Sequence, residues 1–426
     1  YDKAFDLNEV KADIRWEFDE QRLRLHSGLI SAKSADKPMA AMLRLDLPLH
    51  KDAKPDPTMT LVIGAQDIDA SQHKTFTPNI LSDELQQWLD DSIRGGRAKT
   101  AGFIFHGSLL AHTEHHPSVQ LALDLSDVEL RYLNDWPAVT AERASLLINN
   151  AEVFAASDSA SLLGLALGPL AVSVTPSSSG HSVLDVATTA TPNFKQIKTL
   201  LIDTPLHAYI GNTFDSWTGE GGAEVDFGLK LQFAEEHALE VSVDADIDFT
   251  TLGLPDYRLT LSEANGHLHY GSTDGLSSNN LRAKVFERPL AVAISQSGRQ
   301  VDVDVNGNVA ANDVAQWLRT PVLQFFSGNS DIRLHIKAGG ENPGLTLSSD
   351  LLGAEISLPQ PFYKPAEAQR ALAISLPFGG DDQLMQLNLA DQINLTLGFS
   401  EGSVYGANLT LGPLALGRSA PRPRLG

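Results

Sequence analysis

The sequence predicts a mainly β protein made of antiparallel strands, and three observations point to this class. Apolar and polar residues alternate with a period of two in many short segments, which is typical of strands with one apolar and one polar face. Roughly twenty such segments are joined by turns rich in Gly, Pro, Asn and Ser, which are too short for the crossovers that parallel strands need. Helical patterns are few.

Taken in chain order, the alternation predicts a series of strands. In the clearest one, every odd position from Leu239 to Phe249 is apolar, and the residues between them include Asp244, Asp246 and Asp248. Each strand should turn one side towards an apolar environment and the other towards water. The predicted strands include residues 43–47, 121–125, 225–233, 239–249, 301–305, 332–336, 372–376 and 393–397.

The helical patterns are short and recur in a common context. Ser82 is a suitable N-cap for a helix over residues 82–89, whose apolar residues recur at i, i+3 and i+4. Similar patterns occur at residues 194–199, 205–210 and 313–326. Three of these stretches lead into a glycine-containing bend (residues 95–96, 221–222 or 328) and then an alternating strand. The bends are too far apart for a propeller or tight solenoid, which repeats every 20–50 residues or so.

We expect three β segments and a tail. Residues 1–193 form the first segment, with a short helix near 83–93. Residues 194–337 form the second, with helices near 194–217 and 313–326. Residues 338–412 continue the sheet, and residues 413–426, which contain Pro-Arg-Pro-Arg, are expected to be a tail or linker.

Composition and charge exclude several classes of function. The 426 residues (45.9 kDa) carry a net charge of −21 and have a pI near 4.9. Such a chain lacks the basic surface that binds nucleic acid or an anionic bilayer. Without Cys there is no disulfide, zinc-thiolate site or cysteine nucleophile. The longest apolar stretch, residues 162–174, is shorter than the roughly 20 residues of a transmembrane helix, and no signal peptide is expected at the start.

The apolar strand faces must be covered, yet few helices are available to cover them. Three arrangements satisfy this requirement. Two sheets can form a sandwich, one sheet can close into a barrel, or a sheet can curl into an open trough that an apolar ligand covers. The residue pattern alone leaves all three open.

Motifs that carry chemistry are sparse. Residues 112–116 (HTEHH) bring imidazoles and a carboxylate together, but they lack the order of a zinc-protease helix and are interpreted as a solvated hairpin loop. Asp244, Asp246 and Asp248 lack the glycine turn and final Glu of a calcium loop. Neither a G-x-S-x-G elbow nor a phosphate-binding glycine loop occurs. We therefore predict no catalytic residue, no metal and no cofactor.

The tryptophans could form sugar-binding platforms, but packing anchors are the favoured interpretation. Three of them, Trp88, Trp217 and Trp317, belong to the helix-and-glycine pattern, where a large ring would fix a helix to its neighbours. Trp16 and Trp136 are the others.

Four segments of the chain carry distinctive motifs. The first is residues 128–137, which end in Trp136-Pro137, and the second is residues 206–233, which contain Gly221-Gly222. The others are residues 265–281 and residues 349–361 with Lys364 beyond them. In order and spacing these segments resemble the YhdP family of AsmA-like envelope proteins, and the resemblance covers about Trp88 to Gly412. Glu287 and Tyr363 depart from the family, which favours Gly at both positions.

The resemblance implies the periplasmic part of an inner-membrane-anchored protein that carries phospholipids towards the outer membrane, without enzymatic activity. It favours an elongated, curled antiparallel sheet whose hydrophobic groove holds the acyl chains, with residues 1–193 and 194–337 as the two groove segments. Partners would be phospholipids and membrane proteins at either end, with membrane contact through parts outside this chain. The expected groove residues are Val225, Phe227, Leu229, Leu231, Phe233, Leu239, Val241, Val243, Ile247, Phe249, Val301, Val303, Val305, Ile332, Leu334 and Ile336. The alternatives are a β-sandwich adhesion or polysaccharide-binding module of the envelope and, more remotely, an envelope hydrolase.

Overall fold

Antiparallel strand pairing dominates the structure, a computed structural model that describes residues 7–34, 36–50, 56–77, 81–110, 117–178, 180–233, 239–319, 321–379, 382–390, 392–400 and 403–412. All pairings between strands in these ranges are antiparallel. The predicted mainly β, antiparallel class with few helices is therefore confirmed.

The chain divides into two units. Unit 1 comprises Tyr1–Pro192, Thr199–Ile210 and Asp226–Val241, and unit 2 comprises Asn193–Lys198, Gly211–Val225 and Ser242–Gly426. The division into segments 1–193, 194–337 and 338–412 with a tail stays a prediction.

In unit 1 the strands form a meander. The described strands are β1 (Asn8–Lys11), β2 (Ile14–Phe18), β3 (Arg22–Ser27), β4 (Ile30–Ser34), β5 (Lys37–Pro48), β6 (Thr58–Asp69), β7 (Ile93–Ser108), β8 (Ser118–Leu130), β9 (Val139–Asn149), β10 (Glu152–Ser157), β11 (Ala160–Leu162), β12 (Leu165–Ala166), β13 (Leu170–Pro176) and β14 (Ser182–Ala190). Strands β2, β3, β5, β6, β7, β8, β9, β10, β13 and β14 pair in that order. Two further strands, β15 (Thr218–Gln232) and β16 (Leu239–Leu254), have residues in both units.

Unit 2 repeats this arrangement. Its other described strands are β17 (Leu259–Gly271), β18 (Gly275–Val285), β19 (Arg288–Ser297), β20 (Gln300–Ala310), β21 (Phe326–Ala338), β22 (Gly344–Ser349), β23 (Ala354–Ile356), β24 (Leu372–Pro377), β25 (Asp382–Leu389), β26 (Ile393–Ser400) and β27 (Ser403–Leu411). Strands β16 to β22 pair consecutively, and β22 then pairs with β24 and onwards to β27. The turn between β18 and β19 puts Phe286 and Glu287 at φ of 51° and 61°, the left-handed region that Gly adopts most readily.

The helices of each unit lie at one end of its strands. They are α1 (His73–Phe76), α2 (Asp83–Ser92), α3 (Phe194–Ile202), α4 (His207–Ile210) and α5 (Ala311–Leu318), with short 3-10 helices at Ala70–Gln72, Gly211–Phe214, Pro255–Tyr257 and Pro321–Phe325. Because neighbouring strands alternate in direction, β6 and β14 of unit 1 finish at the same end, as do β20 and β22 of unit 2. We call this the helix end and the opposite one the hairpin end.

Most of the predicted helices are present. The helices expected at residues 82–89, 194–199 and 205–210 correspond to α2, α3 and α4. The helix expected over residues 313–326 is too long as predicted. It ends at Leu318, because Arg319 turns left-handed at φ 50° and Pro321 follows, and Phe326 already begins β21. None of the helices in the described ranges is long and apolar enough to cross a bilayer.

Candidate functional site: the apolar faces of the two units

Unit 1 carries a continuous apolar face across its strands. Residues paired in register point to the same side of a sheet, so register alone identifies which side chains are neighbours. One row that contains no polar residue runs through Ala41, Ile63, Phe103, Leu121, Ile148, Val153, Val174 and Leu184. The next row on the same face runs through Met39, Ala65, Ala101, Leu123, Leu146, Ala155, Val172 and Val186.

These side chains are neither buried nor fully exposed. Every member of both rows is half-buried apart from Ala65, which is buried. A depression of about 890 Å³ crosses the same strands on the opposite side of the sheet, because most of its lining residues alternate with those of the rows. These are Thr100, Gly102, Ala122, Asp124, Ser145, Leu147, Phe154, Ala156, Ala171, Ser173, Asp185 and Ala187. A filled hydrophobic core would bury such rows, whereas here they stay within reach of a ligand.

Unit 2 carries a corresponding face. One row runs through Leu281, Val292, Val305, Leu334, Leu347, Ile374, Leu387, Leu395 and Leu409. The neighbouring row towards the hairpin end runs through Ile294, Val303, Ile336, Leu345 and Leu376. All of these are half-buried except Leu409, which is exposed.

Six of the expected groove residues lie together on this face. On β20 and β21, Val305 pairs with Leu334 and Val303 pairs with Ile336. On the same face, Val301 follows Val303 towards the hairpin end of β20, and Ile332 follows Leu334 towards the helix end of β21. All six side chains are half-buried.

The other ten expected residues lie on β15 and β16 or, for Phe233, directly after β15. Val225, Phe227, Leu229 and Leu231 are half-buried on β15, whereas Phe233, just beyond it, is 44% exposed. On β16 the exposure falls along the strand, from Leu239 (51%) to Phe249 (8%). Half-buried positions between these two are Val241, Val243 and Ile247.

Unit 2 covers its apolar face at the helix end in two places. In the first, Phe194 and Ile197 of α3 pack on Phe249, Ala264 and Ala283. In the second, Leu351, Ala354 and Ile356, from the connection between β22 and β24, form a buried cluster with Leu389 of β25. Further residues packed against this second cluster are Phe326, Leu358, Leu372, Leu387 and Ile393.

Lys364 holds the second cover in place. Its side chain is fully buried, and its Nζ donates hydrogen bonds to the carbonyl oxygens of Ala354 at 2.6 Å and Pro365 at 3.1 Å. Burial lowers the pKa of the Lys364 ammonium, because desolvation disfavours the charged form. Lys364 therefore braces the connection between β22 and β24.

The opposite face of unit 2 is polar and carries two similar clusters of His and Asp. His267 lies 3.0 Å (Nδ1) from Asp246 and 3.3 Å (Nε2) from Asp244, and His335 lies 2.8 Å from Asp304 and 3.3 Å from Asp302. The pKa of His267 is raised, chiefly by its hydrogen bond to Asp246. A hydrogen bond from His269 is the main reason that the pKa of Asp244 is lowered.

The described part of the chain contains no group of three or more His, Asp or Glu residues arranged to hold a metal ion. The HTEHH segment, residues 112–116, lies outside the described residues. Asp244, Asp246 and Asp248 lie on one face of β16, and the first two contact histidines of β17.

The tryptophans of the helix-and-glycine pattern lie at the helix end and make anchoring contacts. The indole N–H of Trp317 donates to the carbonyl of Tyr257 at 2.7 Å, and that of Trp88 to the carbonyl of Tyr132 at 3.4 Å. Trp217 stacks edge-on against Phe214, with 4.8 Å between ring centroids.

The sequence predicts a groove segment over residues 1–193 but does not identify which residues of β1 to β14 form its apolar rows. Its strands alternate too, and residues 121–125 were predicted as a strand, but alanines such as Ala101 and Ala155 weaken the contrast between the two faces. The signal that identifies the rows is the register between strands far apart in sequence, which no local pattern contains.

Comparison with known proteins assigns the chain to a family. The family model of the YhdP protein matches residues 1–425, so the chain belongs to the YhdP family, as its motifs indicate. Among curated proteins, the intermembrane phospholipid transporter YhdP of Escherichia coli (strain K12) is 24% identical over 420 residues, which is 95% of this chain and 32% of that protein. The chain therefore spans about a third of the length of this relative. No solved structure matches it.

Proposed function

We propose that this chain is a section of an intermembrane phospholipid transporter and that acyl chains bind along its apolar faces. The observation that carries the proposal is the set of in-register apolar rows that remain half-exposed in both units. Membership of the YhdP family and the name of the Escherichia coli relative support phospholipid as the cargo.

The proposed mechanism is passive and needs no catalytic group. Each methylene removed from water contributes about 0.8 kcal/mol, so a lipid in free solution faces a large barrier. Contact with a row of Leu, Val and Ile removes much of that cost. Because these contacts are non-directional and repeat from strand to strand, a bound chain can shift to the next strand without breaking a specific polar bond. The head group would remain in water.

The proposal includes a location and partners. The chain would lie in the periplasm, as part of a longer protein anchored in the inner membrane outside this segment, and its partners would be phospholipids and membrane proteins at either end. The runner-up, a β-sandwich adhesion or polysaccharide-binding module, is less favoured because a sandwich buries its facing apolar rows. The rows of this chain remain partly accessible.

Lipid analysis of the purified chain tests the proposal. The chain would be produced in Gram-negative cells, purified without detergent and extracted for mass spectrometry, with phospholipid expected in the extract. Val303→Glu puts a charge in an apolar row and should remove most of that lipid. Asp304→Asn, one residue away on the polar face, is the matched control and should keep it. A folded chain free of lipid would overturn the proposal.

A further inference from the structure

The first turn of α3 occupies part of the apolar face of unit 2. Phe194 and Ile197 pack on Phe249, Ala264 and Ala283, which come from three neighbouring strands, β16 to β18. The rings of Phe194 and Phe249 meet edge to face with centroids 5.6 Å apart. This contact leaves Phe249 only 8% exposed. Here the protein's own side chains fill space over the apolar face, which the two buried clusters leave uncovered at Val292 and Val305.

The turn is held firmly in this position. Asn193 and Gln196 cap the helix reciprocally, because the backbone N–H of each donates to the side-chain oxygen of the other, at 3.0 and 2.9 Å. Lys198 donates to the carbonyls of Asp215 at 2.7 Å and Trp217 at 2.9 Å. At Gly219 a Cβ would lie 2.7 Å from the Phe194 ring, so only glycine allows this approach.

The covered residues belong to the same face as the half-exposed rows. Phe249 pairs with Ala264, and Ala283 pairs with Leu290. Leu281, two residues from Ala283 on the same side of β18, begins the row that continues through Val292 and Val305. The covered row through Ala283 and the uncovered row through Leu281 are therefore immediate neighbours, about 6.7 Å apart along the strands.

We propose that Phe194 and Ile197 determine where lipid can lie on unit 2: they exclude acyl chains from the helix end of β16 to β18 and confine them to the rows towards the hairpin end. This inference rests on the proposed function, since it assumes that acyl chains bind the face at all. It assigns a selecting role to two side chains, because they limit the width of the apolar surface available to a passing lipid.

Site-specific photo-crosslinking to phospholipid in cells tests the inference. A photo-reactive residue would replace Val303, in an uncovered row, or Leu261, which packs against the covered cluster. In the otherwise unaltered chain we expect lipid crosslinks at position 303 and none at position 261. In Phe194→Ala, crosslinks should appear at both. Tyr209→Ala removes a ring that is 88% exposed in α4, and this control should behave like the unaltered chain.

Each outcome supports the inference or overturns it. Crosslinks at position 261 while Phe194 is present would overturn it, as would a silent position 261 in folded Phe194→Ala. Absence of crosslinks at position 303 in every chain would overturn the proposed function and this inference with it. If Phe194→Ala does not fold, the crosslinks at positions 261 and 303 of the unaltered chain still test the inference. Phe194→Leu keeps apolar bulk, so we expect it to give the same crosslinks as the unaltered chain.

Discussion

Units 1 and 2 carry the same kind of apolar face, but among the described residues only unit 2 packs buried clusters onto part of its own. In unit 1 the rows through Phe103 and Leu146 stay half-buried from β5 to β14, apart from the buried Ala65. In unit 2 the rows through Val305 and Val303 stay half-exposed, whereas Phe194 and Ile356 belong to covers at the helix end. The same alternating pattern therefore serves as a packing surface or as an open surface, depending on which connecting segments lie over it.

The largest difference in stability is expected between substitutions of a covered residue, Ile356, and of a residue on the uncovered face, Leu146. Ile356→Ala should lower the free energy of unfolding by about 2–5 kcal/mol, because Ile356 is fully buried and its loss leaves a cavity. Leu146→Ala, on the open face of unit 1, should cost about 1 kcal/mol or less, since its side chain is already partly in water. Urea denaturation, with hydrogen exchange to assign the loss to a unit, measures both. Equal losses would mean that the face of unit 1 is packed like a core.

The next largest loss of stability is expected at Lys364, which braces the connection between β22 and β24 in unit 2. Lys364→Met keeps the apolar stem but removes the donor to the carbonyls of Ala354 and Pro365, so we expect a loss of about 1–3 kcal/mol. Lys74→Met, at an exposed ion pair with Asp90 in unit 1, is the control and should change stability by less than about 0.5 kcal/mol. Thermal unfolding of the two variants compares them, and a Lys364→Met chain as stable as the original would contradict the bracing role.

A smaller difference is expected between the two anchoring tryptophans. Trp317→Phe in unit 2 removes a 2.7 Å hydrogen bond and should cost about 1 kcal/mol beyond the change in ring size. Trp88→Phe in unit 1 removes a 3.4 Å contact from a residue that is 43% exposed and should cost close to nothing. Urea midpoints of the two variants give the comparison, and a larger loss for Trp88→Phe would reverse it.

The smallest effect is expected from the pH dependence that His267 and Asp244 give to the stability of unit 2. The pKa of His267 is raised in the fold, so its stabilisation is complete below the usual histidine value and disappears as pH rises through the raised value. The pKa of Asp244 is lowered, so its stabilisation is present above the usual carboxyl value and is lost as pH falls through the lowered value. The effect should be slight, because the two side chains are 43% and 39% exposed.

Hydrogen exchange of β16 and β17 between about pH 6 and 8 measures this dependence. Corrected for intrinsic exchange, protection should fall as pH rises, and His267→Asn should remove the fall. His181→Asn, at an exposed position in unit 1, should leave it unchanged. A fall of the same size in His267→Asn would assign the dependence to other groups.

The sequence predicts the strands well because alternation reports directly on which side chains share a face. Strands β16, β20 and β21 follow the pattern of Leu239 to Phe249, Val301 to Val305 and Ile332 to Ile336 closely. The expectation that these residues line a lipid-binding groove stays a prediction.

The covers could not be predicted, because they depend on contacts between distant parts of the chain. The apolar spacing of Phe194 and Ile197 predicts a helix with one apolar side, but it does not say that this side packs on Phe249. That contact requires Gly219 beneath the ring, and it also requires the register of three strands. Alternation therefore treats the covered Phe249 and the uncovered Val305 alike.

The most direct test of lipid binding by the apolar faces places a photo-crosslinking residue on the two faces of each unit in turn. Leu121 and Val305 belong to apolar rows, and Gln120 and Asp304 are their neighbours on the opposite side of the same strands. In cells, we expect phospholipid crosslinks at positions 121 and 305 and none at 120 and 304. Crosslinks of equal strength on both sides, or on neither, would contradict it.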